Sequence, residues 1–168
     1  MAAGVTPMQA LQLGLSVDIE ALDAATQAAV IAESKTNLSP ANAPLLNSAA
    51  TTIKLINANA VIGIVAKDSN GDGVIDITKG DKTGASCALC HAPTDRSVLS
   101  VTGGGAIGKR DDGRASHNLN FGSLLALGQN SRAYYPVLQL ALNANGGKTL
   151  GRAPTGLTPT STEAEVDA

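Results

Sequence analysis

Both cysteines of the chain and one of its two histidines fall within five consecutive positions, Cys87 to His91, in the run GASCALCHAPTD. Four arrangements call for thiols and an imidazole this close: a haem bound through two thioethers, a zinc site, a redox dithiol, or a structural disulfide beside an unrelated histidine. The rest of the chain bears on the choice. Hydrophobic residues make up 43% of the sequence but aromatics only 2%, with no Trp, one Phe and two Tyr, so the bulky filler of an ordinary core is scarce. A large flat cofactor would supply it.

The spacing Cys-x-x-Cys-His is the attachment signature of c-type haem, and helical geometry gives it a reason. Residues three apart share a helix face, so Cys87 and Cys90 can each add to one vinyl group of a porphyrin while His91 reaches the iron. Zinc is the best rival, with Cys87, Cys90, His91 and the other histidine, His117, as a tetrahedral set. Adjacent Cys90 and His91 make that geometry awkward. A redox dithiol would need a βαβ context that the flanks do not show, and a plain disulfide leaves His91 without a role.

With 168 residues the chain is long enough for one domain, expected over 1–150, with an extended tail over 151–168. Net charge is −2 and the basic residues are scattered, which gives nucleic acid no phosphate-neutralising stripe. No apolar run approaches the roughly 20 residues of a membrane helix, so a soluble chain without a membrane span is expected. The opening MAAGVTPMQALQLGLS lacks the form of a secretory leader. If the cysteines imply export, a leader was removed or lies outside this numbering.

Periodicity predicts a mainly α fold. Ser16 precedes VDIEALDAATQAAVIAE, whose Ile19, Leu22, Ala29 and Val30 recur at helical spacing. A second helix is expected from Ser39 and Pro40, irregular near Pro44, with Leu45, Leu46, Ala49, Ile53 and Ile56 on one side. VIGIVAK and VIDIT flank DSNGDG and predict a short hairpin ahead of the cysteines. Past them, VTGGGAIGKRDDGRASHN reads as a glycine-rich segment too polar for an element. A short helix then runs from Asn120 to Leu127, and a last one starts at Ser131 with Tyr134, Leu138, Ala141 and Leu142 on its face.

CALCH followed by AIGKRDDGRASHNLNFGSLLALG resembles a group of bacterial c-type cytochrome domains. There the same pentapeptide precedes Gly-Ile-Gly, Asp-Gly, Leu-Asn-x-Gly and a short Ala-Leu helix. The matching positions are Cys87 to His91, Ile107 and Gly108, Asp112 and Gly113, Leu119, Asn120 and Gly122, and Ala126 with Leu127, about a quarter of the chain. The resemblance implies a cytochrome c-like helical domain around one covalent haem c, and electron transfer to redox partner proteins outside the cytoplasm, in the periplasm or beyond the cell. Two departures stand out: such domains tend to continue further, and many supply a downstream Met to the iron.

Here both methionines, Met1 and Met8, precede the motif. His117 is then the favoured sixth ligand, in a segment whose glycines would fold it over the haem, with a surface histidine as the plain alternative and Met8, a lysine or an open iron as the others. Lys109, Arg110 and Arg114 are candidates to pair with haem propionates, or are simply solvated. DSNGDGVIDITK follows the calcium-loop pattern: Asp68, Asn70 and Asp72, Gly73 for the turn, the Val74 carbonyl, and Asp76. The twelfth place is Lys79, so Asp81 would have to fold back to complete the shell. A metal-free Asn-Gly and Asp-Gly turn uses the same residues.

Three function classes follow. The first is an electron carrier with six-coordinate haem, not an enzyme. The second is a haem enzyme or sensor with an open distal site. The third is a structural or assembly subunit stabilised by haem and calcium, in which the capping-box pairs Thr160 with Glu163 and Thr162 with Glu165 announce a helix, so that either the sequence is truncated or a neighbouring subunit completes that end as a homo-oligomer.

Overall fold

Short polar caps, rather than long amphipathic runs, set the element boundaries. The computed structural model describes residues 4–120 together with Ser123 and Leu124. The chain divides into two compact units, Ala3–Leu119 and a second made of Met1–Ala2 with Asn120–Ala168. Of the second, the described part is a helical turn at Ser123 and Leu124, begun by the Asn120 side chain, which accepts from the Ser123 amide at 3.2 Å. The remainder of that expected helix, the helix from Ser131 and the tail over 151–168 lie outside the described residues.

The first unit opens with helix α1, Pro7–Gln12, started by a reciprocal capping box between Thr6 and Gln9. The helix expected from Ser16 begins eight residues later. Val17–Asp18 is strand β1, Ile19–Ala21 is a 3₁₀ turn, and helix α2 runs over Ala24–Ser34. Asp23, not Ser16, is the cap: its carboxylate accepts from the amides of Ala25 and Thr26 and from the Thr26 hydroxyl. Helix α3, Ala49–Asn57, likewise starts past the expected Ser39, because residues 40–47 form turns. Those turns are anchored by Glu33, only 9% exposed, whose two carboxylate oxygens accept from the amides of Leu45 and Leu46, each at 2.9 Å.

Strand β2, Ile64–Lys67, pairs antiparallel with β3, Lys82–Ala85, in the register Ile64 to Ala85 through Lys67 to Lys82. The hairpin exists, but its second strand is KTGA and not VIDIT, so its loop spans the whole of 68–81. Val74 and Ile75 are exposed there, and Ile77–Lys79 form a 3₁₀ turn. Helix α4, Ala88–His91, follows directly. Strands β4, Leu99–Ser100, and β5, Ala106–Gly108, complete a three-stranded sheet ordered β1-β5-β4, with β1 parallel and β4 antiparallel to β5.

The expected mainly α, cytochrome c-like class is therefore corrected: among the described residues four helices stand with small sheets, a mixed α and β architecture. The glycine-rich segment is the second correction. It supplies β5, the buried central strand. A Cβ on Gly105 would overlap the Leu15 carbonyl oxygen, and one on Gly104 would press on that of Leu11. These glycines allow backbone to pack on backbone, which periodicity cannot reveal. The core comprises Leu11, Leu15, Val17, Val30, Leu46, Ile56 and Ile107, all 2% exposed or less. Every one of these core side chains is aliphatic. Among the described residues no helix is long and apolar enough to cross a membrane.

Replacing Glu33 by Ala strands two amides, one of them on fully buried Leu46, and should destabilise the fold by about 2–4 kcal/mol. Glu33→Gln, which keeps one acceptor, should lose roughly half as much in chemical denaturation.

Candidate functional site

Helix α4 is a single turn, too short to persist alone. Leu89, 6% exposed, anchors it over Gly63, whose φ of 80° belongs to glycine and where any Cβ would collide with the Leu89 backbone. Burying that leucine contributes roughly 1.5–3 kcal/mol. The Ser86 amide donates to the Gly63 carbonyl at 2.8 Å and ties the helix start to the end of the hairpin. With Leu89 and Ala92 inward, Cys87, Cys90 and His91 are all exposed, at spacings of three and four that share a helix face. Both thiols are free.

The helix end is closed from outside. Its last carbonyls have no partners within one turn. Gly113 donates to the His91 carbonyl at 2.9 Å, Ser116 to that of Cys90 at 2.8 Å, and Asp111 to that of Pro93 at 2.9 Å. The loop 111–116 is thereby strapped along the motif. Exposed His117 comes next and lines a cleft of about 370 Å³ with Gly14, Ser16, Thr94, Arg96 and Arg114. None of Cys87, Cys90 and His91 lines this cleft.

These placements test the candidate chemistries. Two free thiols on one exposed face with an imidazole beside them fit thioether attachment to a flat macrocycle. Among the described residues no group of three or more His, Cys, Asp or Glu side chains is placed to hold a metal ion, so Cys87, Cys90, His91 and His117 do not form a zinc tetrad. The basic residues considered for propionates each have a carboxylate already: Lys109 with Glu20 at 3.0 Å, Arg110 with Asp112 at 2.6 Å, and Arg114 with Asp111 at 2.9 Å.

In the acidic loop, Asp68 accepts from the amides of Gly71 and Gly73, Asn70 from that of Asp72, and Asp72 from that of Val74. Asp76 accepts from the amide and hydroxyl of Thr78 and lies 3.8 Å from the Lys79 ammonium. Asp81 does fold back. It is 7% exposed, and its two oxygens accept from the Ser69 and Asp76 amides, each at 2.8 Å. So arranged, the loop oxygens accept from the loop's own amides.

Comparison with protein-family models, curated proteins and solved structures finds no match for this chain.

The amides of Asp76 and then Ser69 hold the Asp81 carboxyl below its ordinary value of 3.8. A depressed carboxyl stabilises the fold above its unfolded value, and that contribution disappears as pH falls through the folded one. Thermal melts at pH 7 and pH 3 should therefore show a smaller acid-induced drop for Asp81→Asn than for the wild type, from a lower starting Tm.

Proposed function

We propose that the chain carries one covalent haem c on Cys87 and Cys90, with His91 as an axial ligand, and transfers electrons to and from redox partner proteins outside the cytoplasm. The observation that carries the reading is the shared exposed face of the two free thiols and the imidazole on α4. Addition of each S–H across one vinyl double bond is redox-neutral, so attachment calls for no oxidant. The bound group supplies one-electron chemistry between ferric and ferrous iron. The protein's own part is positional. Leu89 under the helix and the strap over its end fix the three side chains, and their exposure leaves an edge free for a docking partner.

The same proposal gives the acidic loop a structural calcium ion. The spacing of Asp68, Asn70, Asp72, Val74 and Asp76 supports it, as does the return of Asp81.

After export through a pathway that attaches haem, the denatured protein should keep a red chromophore and the mass of one haem, and Cys87→Ala with Cys90→Ala should lose both. Colour extracted by acid-acetone from the wild type would defeat the proposal.

For the loop, calcium should raise the Tm of chelator-treated protein, and Asp72→Ala should remove that response. A wild-type melt indifferent to calcium would leave the loop as a turn held by its own hydrogen bonds.

A further inference from the structure

Cys87, Cys90 and His91 lie outside the cleft of about 370 Å³ that His117 lines, and all of its described lining residues belong to the first unit. We infer that this cleft binds a small phosphate monoester without an aromatic ring, held by the Arg96 and Arg114 guanidinium groups and by the hydroxyls of Ser16, Thr94 and Ser116.

Charge is the first argument. Arg96 is exposed, and among the described residues no carboxylate pairs with it. Arg114 gives Nη1 to Asp111 at 2.9 Å and keeps further N–H donors. Two guanidinium groups at one cleft suit an oxyanion, whose oxygens they meet in pairs. The carboxylate on the same wall is that of Asp95, whose Oδ1 accepts from the amides of Ser97 and Lys109 at 3.0 and 2.9 Å. It serves the backbone, although its charge still opposes an anion. Arg96 itself sits at φ 61°, where a side chain is disfavoured and glycine or asparagine is the ordinary choice. The turn alone does not call for arginine.

The hydroxyls are the second. Thr94 lines the cleft while only 4% exposed, and its Oγ1 is the one buried side-chain polar atom among the described residues without a hydrogen-bond partner. Buried hydroxyls are ordinarily satisfied. Rotation about χ1 exchanges Oγ1 with the methyl group and offers this one to an oxygen seated in the cleft. With Ser16, Ser116 and the His117 imidazole, the cleft has more donors than the two oxygens of a carboxylate can use, whereas a phosphate ester presents three terminal oxygens. Its walls are already fixed. Ser116 donates its amide to the Cys90 carbonyl at 2.8 Å, Asp95 its amide to the Lys109 carbonyl at 2.9 Å, and the Asn118 side chain to the Gly104 carbonyl at 2.9 Å. A preformed cleft loses little ordering entropy on binding. No described lining residue is Phe, Tyr or Trp, so a nucleobase would lack its usual stacking platform, and the volume lies at the low end of the roughly 300–1,000 Å³ of small-molecule pockets.

The probe is glycerol phosphate, titrated into the full chain at fixed ionic strength and followed by amide proton–nitrogen NMR, with acetate as the carboxylate control. The full chain lets any carboxylate from residues 125–168 compete for the cleft. Saturable shifts should centre on the amides of Arg96, Ser116 and His117. Arg96→Gly places at φ 61° the residue that favours it, so the variant should keep the fold and bind about tenfold more weakly. Asp95→Asn keeps an acceptor for the Ser97 and Lys109 amides and removes the opposing charge, so it should bind more tightly. Absence of saturable shifts, acetate binding as well as the phosphate ester, or Arg96→Gly binding at the wild-type affinity would each overturn the inference. Neither variant touches Cys87, Cys90 or His91, so the outcome stands apart from whether haem is attached.

Discussion

Three backbone hydrogen bonds, from Asp111, Gly113 and Ser116 to the carbonyls of Pro93, His91 and Cys90, make a one-turn helix a fixed structure. Four residues of helix close too few internal bonds to offset the entropy of ordering them. The strap supplies partners at the end where a helix has none, and Leu89 supplies the buried apolar area. The exposed face depends on this pairing, since a frayed α4 would present two thiols and an imidazole in no particular relation. The strap in turn depends on β5. Residues 111–116 leave the buried strand Ala106–Gly108 through Lys109, whose amide donates to the Asp95 carboxylate at 2.9 Å.

The turn that carries Cys87, Cys90 and His91 was more legible than the fold. Cys-x-x-Cys-His constrains its own geometry, because a spacing of three and four on one turn forces a shared face, and the structure has that turn. Asp81 was legible too, as the carboxylate nearest the end of an incomplete loop. What misled was the assumption that an apolar period marks a helix from its first residue. Ile19 and Leu22 satisfy the period, yet Asp18 bonds the Glu20 amide and Val17 pairs with Ile107, a partner ninety positions away. No local pattern contains that pairing. VIDIT shows the opposite failure: strong β propensity with no strand beside it, while the weak KTGA becomes β3 because the hairpin register brings it to Ile64–Lys67.

Glycine was read as freedom and turned out to be proximity. Gly63, Gly104 and Gly105 sit where another backbone passes within van der Waals reach. A conformational use would show as an open surrounding, as at Gly103, whose φ is 69° with no atom near a Cβ. Past these glycines, His117 lines the cleft together with Arg96 and Arg114.

On the proposed reading, the exposure of α4 pulls one-electron transfer in two directions. An open edge shortens the path to a docking partner and requires no conformational opening before transfer. The same exposure solvates the site, and solvation favours whichever oxidation state carries more charge, so the ferric form gains over the ferrous and the potential falls. A cytochrome with its haem sunk in an apolar crevice avoids the second effect by giving up some of the first. The core of this unit is aliphatic, with Leu11, Leu15, Leu46, Ile56 and Ile107 buried, while Cys87, Cys90 and His91 stand exposed. On that reading the haem would meet its partners at the surface, at a lower potential than one sunk in an apolar crevice.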